Sequence, residues 1–266
     1  MAADRQLDAD LELAVALADA ADAVTLAPFE ARRFTVSWKS SDRGPATEVT
    51  EIDRATEAAV VAELAATRPD DGVFGEELGV SGRAGSPWQW VIDPIDGTSG
   101  FARGIPVWAT LIALVHEERG PVVAVVSAPA LGRRWWATTG GGAFADGRRC
   151  QVSDVADLAE AQVAVTFSPG WDALGLTGAL VELASSARRA RGFGDFWQHA
   201  LVAEGALDIA VDAVGVAPYD LAAVRLLVEE AGGTFTDRHG VATHEHDTAI
   251  SSNGHLHAEV LRRLTG

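Results

Sequence analysis

Two aspartates three residues apart, Asp93 and Asp96, stand in the run Trp90-Val91-Ile92-Asp93-Pro94-Ile95-Asp96-Gly97-Thr98. The apolar residues read as a strand that delivers Asp93 at its end. Pro94 cannot continue a ladder, which predicts a turn that brings Asp96 back beside Asp93. Two carboxylates crowded at a strand end repel each other, and a hard divalent cation with oxygen ligands relieves that repulsion. Gly97 lets the backbone approach closely, so amides here would face a phosphate oxygen. A plain Asp-rich turn accounts for two isolated aspartates equally well; the specificity lies in the whole string.

Two further elements carry carboxylates. Phe74-Gly75-Glu76-Glu77 follows the second helix, from where it can approach Asp93 in space, and one Glu there would complete a three-carboxylate cage for more than one Mg²⁺; a solvated acidic loop is the bland alternative. Pro218-Tyr219-Asp220-Leu221-Ala222-Ala223 opens a helix, with Asp220 in its first turn. There the carboxylate either complements the helix dipole or serves as another metal ligand. No persuasive Ser/His/Asp nucleophile arrangement accompanies these groups.

The elements that must position them follow from periodicity. Leu7, Leu11, Ala14, Val15, Ala18 and Ala21 form a helical stripe ending near residue 27, and Ser40 to Thr47 reads as a loop or hairpin tip. Thr50 is placed to cap a helix that runs to Ala66, with Asp53 three residues on. Strands are expected at Trp90–Ile92, Val107–Val115, Val122–Ser127 and Arg134–Ala137, with a turn at Gly140 to Gly142. Beyond Ser153 the pattern alternates: strand Val163–Phe167, helix Leu174–Ala187, a short strand, helix Phe196–Glu204, strand Leu207–Val211, helix Leu221–Ala231, strand Thr234–Thr236 and a last helix over His255–Leu264. This predicts an α/β protein, a layered sandwich alternating helix and sheet, with subdomains 1–150 and 151–266.

Composition narrows the possibilities. The 266 residues, 48% hydrophobic and 22% charged, suit a compact protein with a sizeable core. A formal net charge of −17 argues against nucleic acid as a partner, but it allows a small phosphorylated substrate held through metal. No apolar run approaches the ~20 residues that span a bilayer, and the N-terminus shows no secretory pattern. A single cysteine, Cys150, excludes an internal disulfide and makes a reducing, cytoplasmic location the default. Lys39 is the only lysine.

In this order and spacing, the three carboxylate elements resemble the inositol monophosphatase family of metal-dependent phosphatases, over nearly the whole chain from Lys39 to Gly233. Asp93 to Thr98 matches the family's most specific motif unchanged, and Tyr219-Asp220-Leu221-Ala222-Ala223 with Glu230-Ala231-Gly232-Gly233 matches the second. The histidinol-phosphatase type is the nearest subgroup, on Val126 to Leu131, Arg133 to Ala137, Gly194-Asp195-Phe196 and Leu201 to Ala206. The resemblance implies the family's fold and hydrolysis of a small phosphorylated alcohol by metal-activated water. Histidinol phosphate is the first substrate implied. Inositol phosphate or a specialised sugar, cyclitol or nucleoside intermediate is the alternative, and a non-catalytic binding protein is the contrasting class. Two or three Mg²⁺ ions are implied, held by Glu76, Asp93, Asp96, Asp220 and the carbonyl of Ile95. Thr98 and Asp53 would activate the attacking water together with Glu76, and the amides of Gly97 and Thr98 would hold phosphate. Lys39 and Asp195 fall at substrate-side positions, and a homodimer is implied.

Some positions depart from the family pattern. The Ser41 to Ala46 stretch around Asp42 is lengthened, Ser99-Gly100 replaces x-Asn, and Tyr219 replaces Trp. The family's substrate-binding Glu lies seven residues before the metal-binding Asp; Ala213 stands there, with Asp212 one position further back. A carboxylate at Asp212 would suit an amine-bearing or polyhydroxy substrate. His244-Glu245-His246-Asp247 reads first as a polar loop and second as a metal cluster. His199 faces either the pocket or the core. Trp135 and Trp136 read as packing or a subunit contact, and Arg188, Arg189 and Arg191 as a solvated edge.

Overall fold

A computed structural model describes residues 5–41 and 44–265 of the chain, without the side chains of 40–46 and 265. The first apolar stripe forms α1 (Leu7–Ala31), which runs past the expected end near residue 27, carries Pro28 in its last turn and closes at Arg32 with a left-handed φ of 49°. β1 (Val36–Ser41) and β2 (Gly44–Thr50) pair antiparallel, so the expected Ser40–Thr47 loop belongs largely to a hairpin. Asp42, central to the lengthened stretch, lies outside the described residues. The cap at Thr50 forms as its spacing requires: Thr50 Oγ1 accepts the Ile52 N–H at 3.1 Å and Asp53 Oδ2 accepts the Thr50 N–H at 2.8 Å, opening α2 (Glu51–Thr67).

The middle of the chain builds one large sheet. Its strands are β3 (Gly72–Gly75), β4 (Gly79–Gly82), β5 (Trp88–Asp96), β6 (Ala109–His116), β7 (Gly120–Ala128), β8 (Arg133–Thr138), β9 (Gly142–Ala145) and β10 (Arg148–Arg149), with the short α3 (Thr98–Arg103) between β5 and β6. They lie in the order β10-β9-β8-β7-β6-β5-β3-β4, with β3 parallel to β5. The Phe74-Gly75 segment is therefore strand, not part of a solvated acidic loop, and Glu76 follows directly from it.

The expected turn at Pro94 is a bulge. Asp93 pairs with Leu111 and Asp96 with Ala109, so two residues of β5 stand opposite one of β6. Pro94 has no N–H to give the ladder, but its carbonyl accepts the Thr110 hydroxyl at 2.8 Å, and Asp93 Oδ1 accepts the Ile95 N–H at 3.0 Å. The strand thus passes the proline without a reversal, and both aspartates stay on its end.

The remaining elements are β11 (Gln162–Val165), α4 (Pro169–Ala173), α5 (Thr177–Ser186), β12 (Arg189–Arg191), α6 (Asp195–Ala203), β13 (Ile209–Val211), α7 (Pro218–Glu230), β14 (Thr234–Thr236), β15 (Ile250–Ser252) and α8 (His257–Thr265). The helix expected over Leu174–Ala187 is α5, which starts only at Thr177 because Gly175, with a φ of 73°, stands between it and the separate short α4 before it. A second sheet has the order β12-β11-β13-β15-β14.

Period-2 alternation sorts the sheet residues into layers. Trp90, Ile92, Ile112, Leu114, Val123 and Val125 pack with Ala14, Leu17 and Ala18 of α1 and Val60 and Leu64 of α2. Their neighbours Val91, Leu111, Ala113, Ala124 and Val126 face the other way, against Phe196 and Ala200 of α6 and Leu221 to Val228 of α7. Ala164, Ala210 and Phe235 of the second sheet close that layer from beyond. On the far face, Val163, Val165, Ile209, Val211 and Ile250 pack with Leu180 and Leu183 of α5 and Val260 and Leu264 of α8. The result is an α/β sandwich of five layers, helix-sheet-helix-sheet-helix. The chain passes from one sheet to the other between Arg149 and Gln162, and the α6/α7 core bridges both.

Candidate active site

Four elements converge where β5 bulges. Asp93 and Asp96 come from β5 and Asp220 from the first turn of α7, each offering an oxygen within 4.8 Å of the others. Asp93 and Asp96 are buried and Asp220 is partly so. Each is fixed by a backbone N–H: Ile95 to Asp93 Oδ1 at 3.0 Å, Phe196 to Asp96 Oδ2 at 2.5 Å, and Ala217 to Asp220 Oδ2 at 2.6 Å. Asp220 therefore reaches back to cap its own helix while its carboxyl faces the other two. Glu76 enters from the end of β3, its N–H bonded to the Ile92 carbonyl at 3.2 Å. Its Oε1 accepts the ammonium of Lys39, from the hairpin, at 2.7 Å, and the same ammonium bonds Glu77.

The electrostatics follow from this crowding. Burial first, then repulsion from Glu76, Asp96 and Asp220, pushes the Asp93 carboxyl well above the usual carboxylate range. Burial and the nearby Asp195 and Asp220 do the same to Asp96. Asp220 is pushed up to about 8 by burial and by Glu76, and Glu76 itself is raised by burial against the pull of Lys39. Among the described residues, no cationic side chain pairs with Asp93, Asp96 or Asp220. Buried, mutually repelling oxygen donors without a counter-charge fit a hard divalent cation.

Beside the carboxylates, the Thr98 hydroxyl lies 2.8 Å from the Ile95 carbonyl and 3.2 Å from Asp53 Oδ1. Asp53 is wholly buried, and its other oxygen accepts from the Thr50 N–H and hydroxyl at 2.8 and 2.6 Å. Burial raises its carboxyl despite those bonds. Gly97 has a φ of 85°, and a Cβ there would stand 3.0 Å from the Val107 carbonyl and 3.3 Å from Asp195 Oδ2. That position admits only glycine comfortably.

A cavity of about 530 Å³ opens over this group, lined by Lys39, Glu76, Gly97, Thr98, Asp195 and Asp220. A second cavity of about 220 Å³ adjoins it through Asp195, Gly215 and Asp220 and is lined also by Asp96, Thr166 and Asp212. Asp195 begins α6 in a left-handed conformation, φ 48°, and caps no N–H with its side chain. Burial and Asp212 push its carboxyl up to about 6. Asp212 follows β13 and faces the smaller cavity despite its one-residue offset.

Other groups lie apart. His246 bonds Asp237 at 2.8 Å, and His244 is buried near Arg225; with Glu245 and Asp247 they make no metal cluster, since among the described residues Asp93, Asp96 and Asp220 are the one group of potential ligands. Arg188 pairs with Glu160 at an exposed edge, and Trp135 is buried with its Nε1 on Glu204. His199 is 1% exposed, so it belongs to the core, yet it touches Asp212. Sequence reasoning missed Glu57. It lies one helical turn after Asp53 and accepts the Glu77 and Leu78 N–H groups at 2.8 and 2.7 Å, clamping the segment that bears Glu76. The i, i+4 spacing of the two acids on one face of α2 was the available signal.

Comparison with known proteins agrees with the geometry. The model of the inositol monophosphatase family matches residues 6–265. Histidinol-phosphatase of Mycobacterium tuberculosis is 48% identical over 264 residues, covering 96% of this chain and 97% of its own. Histidinol-phosphatase of Streptomyces coelicolor is 44% identical over 263 residues, 96% of each. Among solved structures, the extragenic suppressor protein suhB of Bartonella henselae superposes with a TM-score of 0.87 at 30% identity, over 97% of this chain and 98% of that one.

Proposed function

This chain belongs to the inositol monophosphatase family and is a phosphoric monoester hydrolase, and from that premise we propose that its substrate is histidinol phosphate and its metal Mg²⁺. The observation that carries the reading is the convergence of Asp93, Asp96 and Asp220 within 4.8 Å beside the Thr98–Asp53 pair. The family is metal-dependent. Glu76, Asp93, Asp96, Asp220 and the Ile95 carbonyl would hold the ions, residues 1–150 supplying all but Asp220 and residues 151–266 supplying Asp220 with the substrate-side Asp195 and Asp212. Bound there, divalent ions acidify water and neutralise charge on the transferring phosphoryl group and the departing alkoxide.

The chain's own residues do the rest. Thr98 orients the attacking water by its hydroxyl and passes a proton toward Asp53 Oδ1, 3.2 Å away. Burial raises the affinity of the Asp53 carboxyl for that proton. The Gly97 and Thr98 amides face the phosphate, which approaches closely because Gly97 has no side chain. Lys39 holds Glu76 and Glu77 in place from above the larger cavity. The alcohol half of the substrate enters the smaller cavity, where Asp195 and Asp212 favour a cation. The 44–48% identity to two histidinol-phosphatases supports that choice over inositol or sugar phosphates. A homodimer and a cytoplasmic location complete the reading, supported by the family resemblance and by the single cysteine.

Phosphate release across histidinol phosphate, inositol 1-phosphate, fructose 1,6-bisphosphate and 3′-phosphoadenosine 5′-phosphate, with and without Mg²⁺, tests the assignment. The highest kcat/KM is expected for histidinol phosphate. A clear preference for another ester overturns the substrate, and sedimentation as a monomer overturns the dimer.

A further inference from the structure

A polar chain behind the smaller cavity has no part in the phosphoryl chemistry. His199, in the middle of α6, lies with Nε2 2.9 Å from Asp212 Oδ2 and Nδ1 2.5 Å from Ser251 Oγ. His199 is 1% exposed and Ser251 is wholly buried on β15. The order of residues is that of an acyl-transfer triad, but the serine is sealed in the core and it is the aspartate that meets the cavity. A nucleophilic role for Ser251 is therefore excluded by access, and the chain runs outward, from Ser251 through His199 to Asp212.

Asp212 is held from every side. Its Oδ1 accepts the Ala213 N–H at 2.7 Å, its own N–H reaches the Ala249 carbonyl at 2.9 Å, and its carbonyl accepts Trp171 Nε1 at 2.8 Å. In either charge state of the ring, Nε2 can donate to Asp212; the neutral ring then needs a donor at Nδ1, which the Ser251 hydroxyl supplies. Each Asp212 oxygen has one donor from the protein and retains a lone pair for a ligand. A short carboxylate thus stands fixed in a cavity already lined by Asp96, Asp195 and Asp220, with no arginine or lysine among its lining residues.

Building on the phosphatase reading, we propose that His199 and Ser251 are positioning residues that aim Asp212 at the alcohol half of the substrate and so set a preference for phosphate esters of cationic alcohols over neutral ones. Neither touches substrate; both act through the direction of one carboxylate. A displaced Asp212 weakens the contact with a substrate ammonium or imidazolium and leaves the reacting phosphate untouched.

The test compares L-histidinol phosphate with glycerol 2-phosphate in the wild type and in His199→Phe, His199→Gln, Ser251→Ala and Asp212→Asn. His199→Phe is expected to raise KM for histidinol phosphate roughly tenfold or more, the scale of one hydrogen bond to a charged group, with kcat within about threefold and KM for glycerol phosphate unchanged. His199→Gln, which keeps a donor near the Nε2 position, restores most of the difference; Ser251→Ala gives a smaller shift in the same sense, and Asp212→Asn abolishes the preference. An equal rise for both esters in His199→Gln and Ser251→Ala, or an unchanged ratio in folded His199→Phe, overturns the proposal. Calorimetric binding of L-histidinol, the product alcohol, reads the same device without turnover: weaker binding in His199→Phe and Asp212→Asn supports it, and equal binding overturns it. A wild type that hydrolyses neither ester strikes the phosphatase reading, and the calorimetric arm still decides the role of His199.

Discussion

Replacing Glu57 with glutamine breaks the clamp on the segment that bears Glu76 at almost constant volume. Glu57 is wholly buried, and its oxygens accept the N–H groups of Glu77 and Leu78 at 2.8 and 2.7 Å. A Cβ on Gly75 would fall 1.9 Å from Glu57 Oε1, so the carboxylate fills the space that a side chain at Gly75 would need. Glutamine keeps one acceptor and turns the other into an NH₂ that confronts a backbone N–H. Losing a hydrogen bond to a charged group and leaving a buried amide unpaired costs about 2–3 kcal/mol. Burial first, and then repulsion from Glu77 and Glu76, raises the Glu57 carboxyl, and removing its charge relieves that smaller repulsive part. The mispairing wins, because it acts at direct contact while Lys39 already balances Glu76 and Glu77. If the loop absorbs the strain, Mg²⁺ affinity falls about 10- to 100-fold, the range for lost outer partners of metal ligands. Isothermal titration with Mg²⁺ and urea unfolding of the metal-free protein separate loop from global effects. Mg²⁺ affinity within twofold of wild type together with an unfolding free energy within about 0.5 kcal/mol of it would refute the clamp.

Thr98→Ala is expected to lower kcat by about 10²- to 10³-fold while Mg²⁺ binding stays near wild type, because the proton path to Asp53 is lost and the carboxylates are not; an unchanged kcat contradicts the assignment. Gly97→Ala forces a φ of 85° on an L-residue and sets its Cβ 3.0 Å from the Val107 carbonyl. A loss of about 1–2 kcal/mol of stability is expected, read from thermal melting. His257, buried between the Thr236 and Ser252 hydroxyls at 2.9 and 3.0 Å, has its pKa lowered to about 4 by burial. The unfolded chain binds a proton near the ordinary 6.5 and the folded chain only near 4, so stability from this group is present above pH 6.5 and is lost as pH falls toward 4. The full effect is up to about 3 kcal/mol, and urea midpoints at pH 7 and pH 5 should differ less in His257→Gln than in wild type.

What could be read in advance follows the reach of each interaction. The Thr50–Asp53 cap and the strands alternating through Trp90–Ile92, Ile112–Leu114 and Val123–Val125 are local patterns, and both the layered α/β architecture and the family were legible from them and from the aspartate string. β3 was not, because Gly72-Val73-Phe74-Gly75 is short, flanked by glycine and held by parallel pairing to β5. β15 escaped because Ser251 and Ser252, polar residues that suggest a surface, are buried by His199 and His257. Pro94 signalled a turn since its missing N–H disrupts a ladder, yet a bulge answers that requirement with less change of direction. In the site, the carboxylates lie close together along motifs, whereas Glu57 grips backbone and Ser251 meets a histidine 52 residues away. The Ser251 contact leaves no trace in spacing, and Glu57 shows only its i, i+4 offset from Asp53, which does not point to the backbone it grips.

The central claim is that phosphate release depends on divalent metal held by the carboxylates around Asp93. It is tested most directly by following phosphate release from L-histidinol phosphate while Mg²⁺ is removed with EDTA and restored, in wild type and in Asp93→Asn. The expected result is turnover that stops in EDTA, returns with Mg²⁺, and is absent from Asp93→Asn at every Mg²⁺ concentration. Continued turnover in EDTA, or a folded Asp93→Asn as active as wild type, would contradict it.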